Sequence, residues 1–306
     1  MVAVEKTAIL WIDGPSEGAW NMALDQAMIQ HAADENCIIL RLYQWARPTL
    51  SLGYFQSFED RSRTPAFESM DCVRRVTGGG AIVHDQEITY SIAVPKSFEE
   101  LINDDLPTFD SWNENAKSSV NRSHLRHSES LYRTIHSRVT NWLIELGFEA
   151  RLHKSNSCID TSVDECKAFL CFERRSDVDI VVTGQGNQSQ KVMGSAQRRT
   201  SKGLLQHGSL ILNPSPFAPH LLGLEQLPPN NPNESKLDEP LKINAKKWGW
   251  AIDFCRILQD SVDVLWKCDW KYEDPASNVL ERARQIRESR FRNDAWTVHR
   301  VRIGDN

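Results

Sequence analysis

Residues 74–90 gather, in one short stretch, the residue types best suited to holding a ligand: Arg74 and Arg75, then Gly78, Gly79 and Gly80, then His84. Three residues without a Cβ let the backbone take positive φ and bring its N–H groups close to a bound molecule. The two arginines offer forked donors to a carboxylate, phosphate or carbonyl oxygen. A ligand is therefore expected at this loop, although the same run also suits a bulge or tight bend between two strands. It is not a Walker A motif, because no Gly-Lys-Ser/Thr follows at the right distance. Nor is it the dinucleotide fingerprint, which needs a strand before it and a helix after it. A single histidine such as His84 is more often packed and hydrogen-bonded than catalytic.

A second informative region covers residues 168–212. Ala168-Phe169-Leu170-Cys171-Phe172 is an apolar run holding a thiol, and Lys191-Val192-Met193-Gly194-Ser195-Ala196-Gln197 brings an amine and then small residues. On residue type alone, a cysteine between leucine and phenylalanine is more often a small buried hydrophobe than a nucleophile. Lys191 at a strand start equally fits a solvated edge charge. Arg198, Arg199 and Lys202 form a basic loop, either simply solvated or able to meet an acidic protein surface.

The chain is 306 residues long, with 40% hydrophobic and 25% charged residues, which fits an ordinary globular protein with a large core. A net charge of −5 argues against a nucleic-acid partner held by bulk electrostatics. No stretch approaches the roughly 20 apolar residues of a membrane span. The first ten residues lack the apolar region of a secretory signal, so a cytoplasmic protein is expected. Seven cysteines without a CxxC pair read as reduced thiols, any of them a possible nucleophile, and give no support to a metal site.

The elements that must position these residues follow from periodicity. Residues 8–13 predict an edge strand. Ser16 is placed to cap a helix to about Ala33, with Trp20, Ala23, Leu24, Ala27, Met28 and His31 at helical spacing. Residues 38–44 and 47–53 predict strands. The β-branched runs 81–84 and 88–94 predict a buried hairpin with Asp85-Gln86-Glu87 at its turn. Residues 96–127 are polar, an excursion either ordering over a ligand or solvated. A strongly amphipathic helix begins at Ser130 and stops at Gly147. Residues 179–212 predict a three-stranded meander, 227–240 a proline-rich linker, 251–266 and 278–289 helices, and 296–300 a last strand or tail. The expected organisation is a catalytic domain over 1–225, a linker over 226–240 and a small helical extension over 241–306.

Taken together, Arg74-Arg75-x-x-Gly78-Gly79-Gly80-x-x-x-His84-Asp85, Lys191-x-x-Gly194-Ser195-Ala196-Gln197 and His207-Gly208-Ser209 resemble the lipoate-protein ligase A and octanoyltransferase superfamily. Asn21-Met22-Ala23-Leu24-Asp25 and Arg47-Pro48-Thr49-Leu50-Ser51-Leu52-Gly53 match its opening helix and second strand. The likeness covers roughly residues 10–215. It implies an α+β fold, a mixed β-sheet flanked by helices, related to the biotin ligase catalytic module and to class II aminoacyl-tRNA synthetases.

The same resemblance implies site residues. Lys191 meets the acyl carbonyl, while Arg75, Gly78, Gly79, Gly80, His84, Gly194, Ser195, Ala196 and Gln197 bind substrate. The position of Cys171, some twenty residues before the lysine, resembles the nucleophile segment of octanoyltransferases of the LipM type. LipB-type enzymes place their cysteine after the lysine instead. The implied activity is transfer of octanoyl from acyl carrier protein, through a cysteine thioester, to a lysine of a lipoyl-domain protein such as glycine cleavage H protein or a 2-oxoacid dehydrogenase E2. His84 is a candidate proton carrier for the incoming amine. No cofactor or metal is expected on that route. The alternatives are an ATP-dependent lipoate ligase, which needs ATP and Mg, and an amidotransferase moving octanoyl between lipoyl domains.

Overall fold

The computed structural model describes residues 6–99, 127–154, 168–184, 188–227 and 243–301. Most of the polar stretch over 96–127, nearly all of the proline-rich tract, Cys158 and Cys166 lie outside the described residues.

One eight-stranded mixed sheet forms the centre. Its strands are β1 (Lys6–Ser16), β2 (Ile38–Trp45), β6 (Glu87–Pro95), β7 (Ala150–Leu152), β8 (Ile180–Thr183), β9 (Ser189–Arg199), β10 (Gly203–Ile211) and β11 (Cys268–Tyr272), in the order β11-β1-β2-β6-β10-β9-β8-β7. The pairs β11-β1 and β1-β2 are parallel, and the rest of the ladder is antiparallel. Successive residues of a strand point to opposite faces, and the sequence obeys this on both. Ala8 and Leu10 of β1, with Ile38, Leu40 and Leu42 of β2, pack with helices α2 (His127–Glu145) and α3 (Ile243–Trp266). Ile9, Trp11 and Ile39 face the other way, against α1 (Gly18–Asp34) and α4 (Ser277–Ile286). Helices on both faces explain why these strands read as continuous apolar runs.

A second sheet of three strands, β3 (Thr49–Leu52), β4 (Asp71–Arg74) and β5 (Ile82–His84), runs in the order β4-β3-β5. It holds the glycine loop, which leaves β4 at Arg74 and enters β5 at Ile82. The expected hairpin over 81–94 therefore does not form. β5 pairs with β3, while β6 pairs with β2 and β10, so the Asp85-Gln86 turn connects two sheets. Glu87 belongs to β6 and is buried.

Three other expectations are corrected. β1 is not an edge strand, because β11 flanks it. The N-cap of α1 is Glu17, without a side-chain cap bond, not Ser16. Residues Asp294–Thr297 form a helical turn where a strand or tail was expected. That turn docks behind the glycine loop, where Trp296 Nε1 donates to Arg74 O and Arg74 Nε donates to Thr297 O, both at 2.9 Å.

Candidate active site

A cavity of about 440 Å³ opens between the glycine loop, the start of β9, α2 and a 3-10 turn over Cys171–Glu173. Arg75, Gly78, Gly79, His84, Cys171, Lys191, Gly194, Ser195, Ala196 and Gln197 all line it, so segments a hundred residues apart in the chain share one wall. Gly80 does not line it, and the backbone explains why. Residues Ala81 and Leu170 form a parallel bridge in which Ala81 N–H donates to Phe169 O at 3.0 Å and Cys171 N–H donates to Ala81 O at 2.7 Å. A Cβ on Gly80 would stand 2.8 Å from Cys171 N and 2.9 Å from its Cα. The glycine lets the loop lie directly on the cysteine backbone.

Lys191 faces the thiol from β9, with Nζ 3.7 Å from Cys171 Sγ. The ammonium also donates to Asp179 Oδ2 at 2.8 Å, Cys171 O at 3.1 Å and Arg174 O at 3.3 Å. Burial works against its charge, but Cys171 and Asp179 outweigh that and raise its pKa above the ordinary lysine value. A lysine that is only 5% exposed is thereby kept as a cation beside the sulfur. Gly194 makes room for it, since a Cβ there would sit 2.8 Å from Lys191 Cε and 3.0 Å from Nζ.

Arg75 and His84 are tied into the protein rather than left free. Arg75 Nη1 donates to Ser51 O and Oγ at 2.7 Å, and Nη2 donates to Gly78 O at 3.1 Å and Gly80 O at 2.8 Å. His84 meets Ser51 Oγ with Nε2 at 2.7 Å and Glu87 Oε1 with Nδ1 at 2.5 Å, and its ring stacks on Trp45. Burial would raise the Glu87 pKa, but His84 and the hydroxyls of Thr89 and Ser209 outweigh it and hold the carboxyl below the usual range. Burial lowers the Arg75 pKa to about 10, which leaves it charged at neutral pH. The result is a chain of support from Glu87 through His84, Ser51 and Arg75 to the carbonyls of the glycine loop. Arg74 does not line the cavity and instead clasps the carbonyls of Gly53, Tyr54 and Gln56.

Residues 17–222 match the lipoyl protein ligase A/B catalytic domain. The chain belongs to this family. Among curated relatives, it is 34% identical over 211 residues to octanoyltransferase LipM of Kyrpidia tusciae, an alignment covering 67% of this chain and 66% of that protein. It is 31% identical over 226 residues to octanoyltransferase LipM of Oceanobacillus iheyensis, covering 72% and 69%. The LipM of Bacillus subtilis is 31% identical over 219 residues, covering 69% and 67%. The chain thus spans about two thirds of the length of these relatives. Among solved structures, the putative lipoate protein ligase Ta0514 of T. acidophilum superposes with a TM-score of 0.59 at 18% identity, covering 97% of this chain and all of that one. A lipoate-protein ligase A bound with ATP gives 0.59 at 17% identity, covering 97% and 100%. These likenesses establish the mixed-sheet fold expected of a lipoyl protein ligase A/B domain.

Within this ligase-type domain, the geometry separates the thiols. Cys171 is the only cysteine among the described residues that lines the cavity. Burial pushes the thiols of Cys37, Cys72 and Cys255 up to about 11 and that of Cys268 to about 12, away from thiolate chemistry at neutral pH. Two residues of the wall, Asp179 and Tyr132, were not among the expected site residues, nor was His136, which stacks on Tyr132 without lining the cavity. Tyr132 and His136 stand four apart on α2 and stack with centroids 4.2 Å apart. The available signal was polar residues interleaved with the apolar stripe of an otherwise amphipathic helix.

Proposed function

We propose that this protein transfers an octanoyl group to a lysine of a lipoyl-domain protein through a thioester on Cys171. The observation that carries the reading is the Cys171 Sγ and Lys191 Nζ pair, 3.7 Å apart at the wall of a cavity with glycines 78, 79 and 194 in its lining. The 31–34% identity to octanoyltransferases of the LipM type supports it. The proposed donor is octanoyl acyl carrier protein, and the acceptors are H-protein or E2 lipoyl domains.

In the first step Cys171 Sγ attacks the donor thioester carbonyl, the carbon–sulfur bond to the donor breaks, and the donor thiol leaves with the proton. In the second, the deprotonated acceptor amine attacks the Cys171 thioester. An amide forms, and the cysteine thiol is restored. Entering and leaving sulfur have similar basicity, so the first exchange is close to balanced. Each addition places negative charge on the acyl oxygen, where a preorganised donor is most useful. Lys191 Nζ lies 3.7 Å from the sulfur, yet its three protons face Asp179 Oδ2, Cys171 O and Arg174 O. It serves the acyl oxygen by exchanging one backbone carbonyl for it.

Six buried methylenes of an octanoyl chain contribute on the order of 5 kcal/mol at about 0.8 kcal/mol each. That selects strongly against acetyl. The cavity volume of about 440 Å³ lies in the range of small-ligand pockets. His84, with both ring nitrogens engaged by Ser51 and Glu87, supports the glycine loop in this reading and does not shuttle the amine proton.

The test is a transfer assay with octanoyl carrier protein and a lipoyl domain, followed by the acceptor's intact mass. Transfer without ATP is the expected result. Acceptor modification that requires ATP and free acid, and survives Cys171→Ser, favours a ligase instead.

A further inference from the structure

Next to the lysine, the backbone takes a conformation that its residue type resists. Val178 is β-branched, yet its φ is +65°. Such a residue is a conformational outlier, tolerated only where the surroundings over-determine it. The other non-glycine residues with positive φ among the described residues, Asn36, Lys267 and Arg300, lie away from the cavity, whereas Val178 lines it.

Two hydrogen bonds hold this peptide: Val178 N–H donates to His153 O at 2.9 Å, and Val178 O accepts from His136 Nδ1 at 2.7 Å. The turn presents the next residue, Asp179, whose Oδ2 accepts from Ser176 N–H at 2.7 Å and from Lys191 Nζ at 2.8 Å. Tyr132, one helical turn before His136, donates its hydroxyl to Asp179 Oδ1 at 3.2 Å.

The protonation of His136 follows from its partners. A carbonyl only accepts, so Nδ1 carries hydrogen. Nε2 lies 2.8 Å from Ser195 Oγ, and Gln206 Nε2 donates to Tyr90 OH at 2.7 Å, which leaves the Tyr90 hydrogen for Ser195 at 2.7 Å and the Ser195 hydrogen for His136. The chain has one consistent direction, and it specifies a neutral imidazole. Burial, which lowers the His136 pKa to about 4 against the opposing pull of Asp179, favours the same form.

We propose that His136 is a positioning residue for the Lys191–Asp179 pair: by donating to Val178 O it holds the left-handed turn that aims Asp179 at the lysine, and so keeps the ammonium against Cys171. The catalytic meaning of this rests on the acyl-transfer reading, but the positioning itself does not require an acyl donor to test.

The experiment measures alkylation of Cys171 by iodoacetamide across pH in the full chain, with the site quantified by peptide mass. Lys191→Met sets the scale, because losing the neighbouring cation moves the alkylation midpoint upward. His136→Phe keeps the ring stack on Tyr132 and removes the donor. It is expected to raise the midpoint by about one pH unit, a tenfold loss of reactive thiolate at a given pH. His136→Asn, whose amide nitrogen can replace Nδ1, is expected to follow wild type. Adding Val178→Gly to His136→Phe is expected to restore the wild-type midpoint, since glycine takes positive φ unaided. Should the phenylalanine variant fail to fold, His136→Leu takes its place. A wild-type midpoint in His136→Phe, or a shift that Val178→Gly does not relieve, overturns the proposal. An unmoved midpoint in Lys191→Met overturns the premise shared with the acyl-transfer reading, which tells the two failures apart.

Discussion

Gly80→Ala tests whether the glycine loop places Cys171, the proposed nucleophile. The added methyl would stand 2.8 Å from Cys171 N, 2.9 Å from Cys171 Cα and 3.2 Å from Leu170 C, all of them backbone atoms. Restoring an ordinary contact of about 3.4 Å requires the cysteine backbone to recede by about 0.6 Å, the difference between 3.4 and 2.8 Å. That movement strains the two bonds of the Ala81–Leu170 bridge, at 2.7 and 3.0 Å. Their loss is worth roughly 0.5–1.5 kcal/mol each, so the melting transition is expected to fall by the equivalent of about 1–3 kcal/mol. The kinetic cost is larger in proportion, because a misplacement near 1 Å costs on the order of 100-fold in rate. We expect single-turnover acylation of Cys171, followed by quenched intact mass, to slow by roughly 10- to 100-fold. Gly78→Ala is the control, since its Cβ meets only a Phe55 ring atom at 4.0 Å, and its stability is expected to stay within about 0.5 kcal/mol of wild type. Wild-type acylation by Gly80→Ala with an unchanged melting temperature would refute the reasoning.

Lys191→Met leaves Asp179 buried without its cation and is expected to cost about 3–5 kcal/mol in urea unfolding, whereas Lys191→Met with Asp179→Leu recovers stability but not acylation. Arg75→Lys replaces two splayed nitrogens, which serve four oxygens of Ser51, Gly78 and Gly80, with one ammonium of three donors. It is expected to lose about 1–3 kcal/mol and to slow acylation, read by the same two assays. Burial sets the folded His136 pKa near 4, below its ordinary 6.5, so the folded state resists a proton that the unfolded chain accepts. That contribution is therefore whole above pH 6.5 and is lost as pH falls towards 4, about 3 kcal/mol in total. Urea midpoints at pH 7 and pH 4.5 are expected to converge in part in His136→Asn, and an identical acid loss in the variant contradicts the assignment.

The central strands were legible because apolar β-branched runs must be buried, whereas Cys171 and Lys191 stood out only through the family resemblance, since on residue type alone they suit a buried hydrophobe and an edge charge. Strand β11 was not legible, because Cys268-Asp-Trp-Lys-Tyr272 is largely exposed and offers no apolar run to detect. The 81–94 region misled because a β-branched run reports that a strand is buried but not which strand it pairs with. β5 and β6 both satisfy the pattern, and the turn between them switches sheets. The roles of Arg75 and His84 were hidden for a related reason. Both meet at Ser51, more than twenty residues upstream, and no local spacing predicts that. Asp179 read as the start of a strand, and His136 fell within the amphipathic helix without being singled out. Their partnership exists only once α2 packs against β8 and β9.

The central claim is that Cys171 carries the acyl group while Lys191 steadies it. The most direct measurement exposes the whole protein to octanoyl carrier protein without acceptor, then maps any added mass by peptide sequencing. One octanoyl group on Cys171, absent in Cys171→Ser and discharged when a lipoyl domain is added, is the predicted result. No adduct on wild type, or an adduct that the lipoyl domain cannot remove, contradicts it.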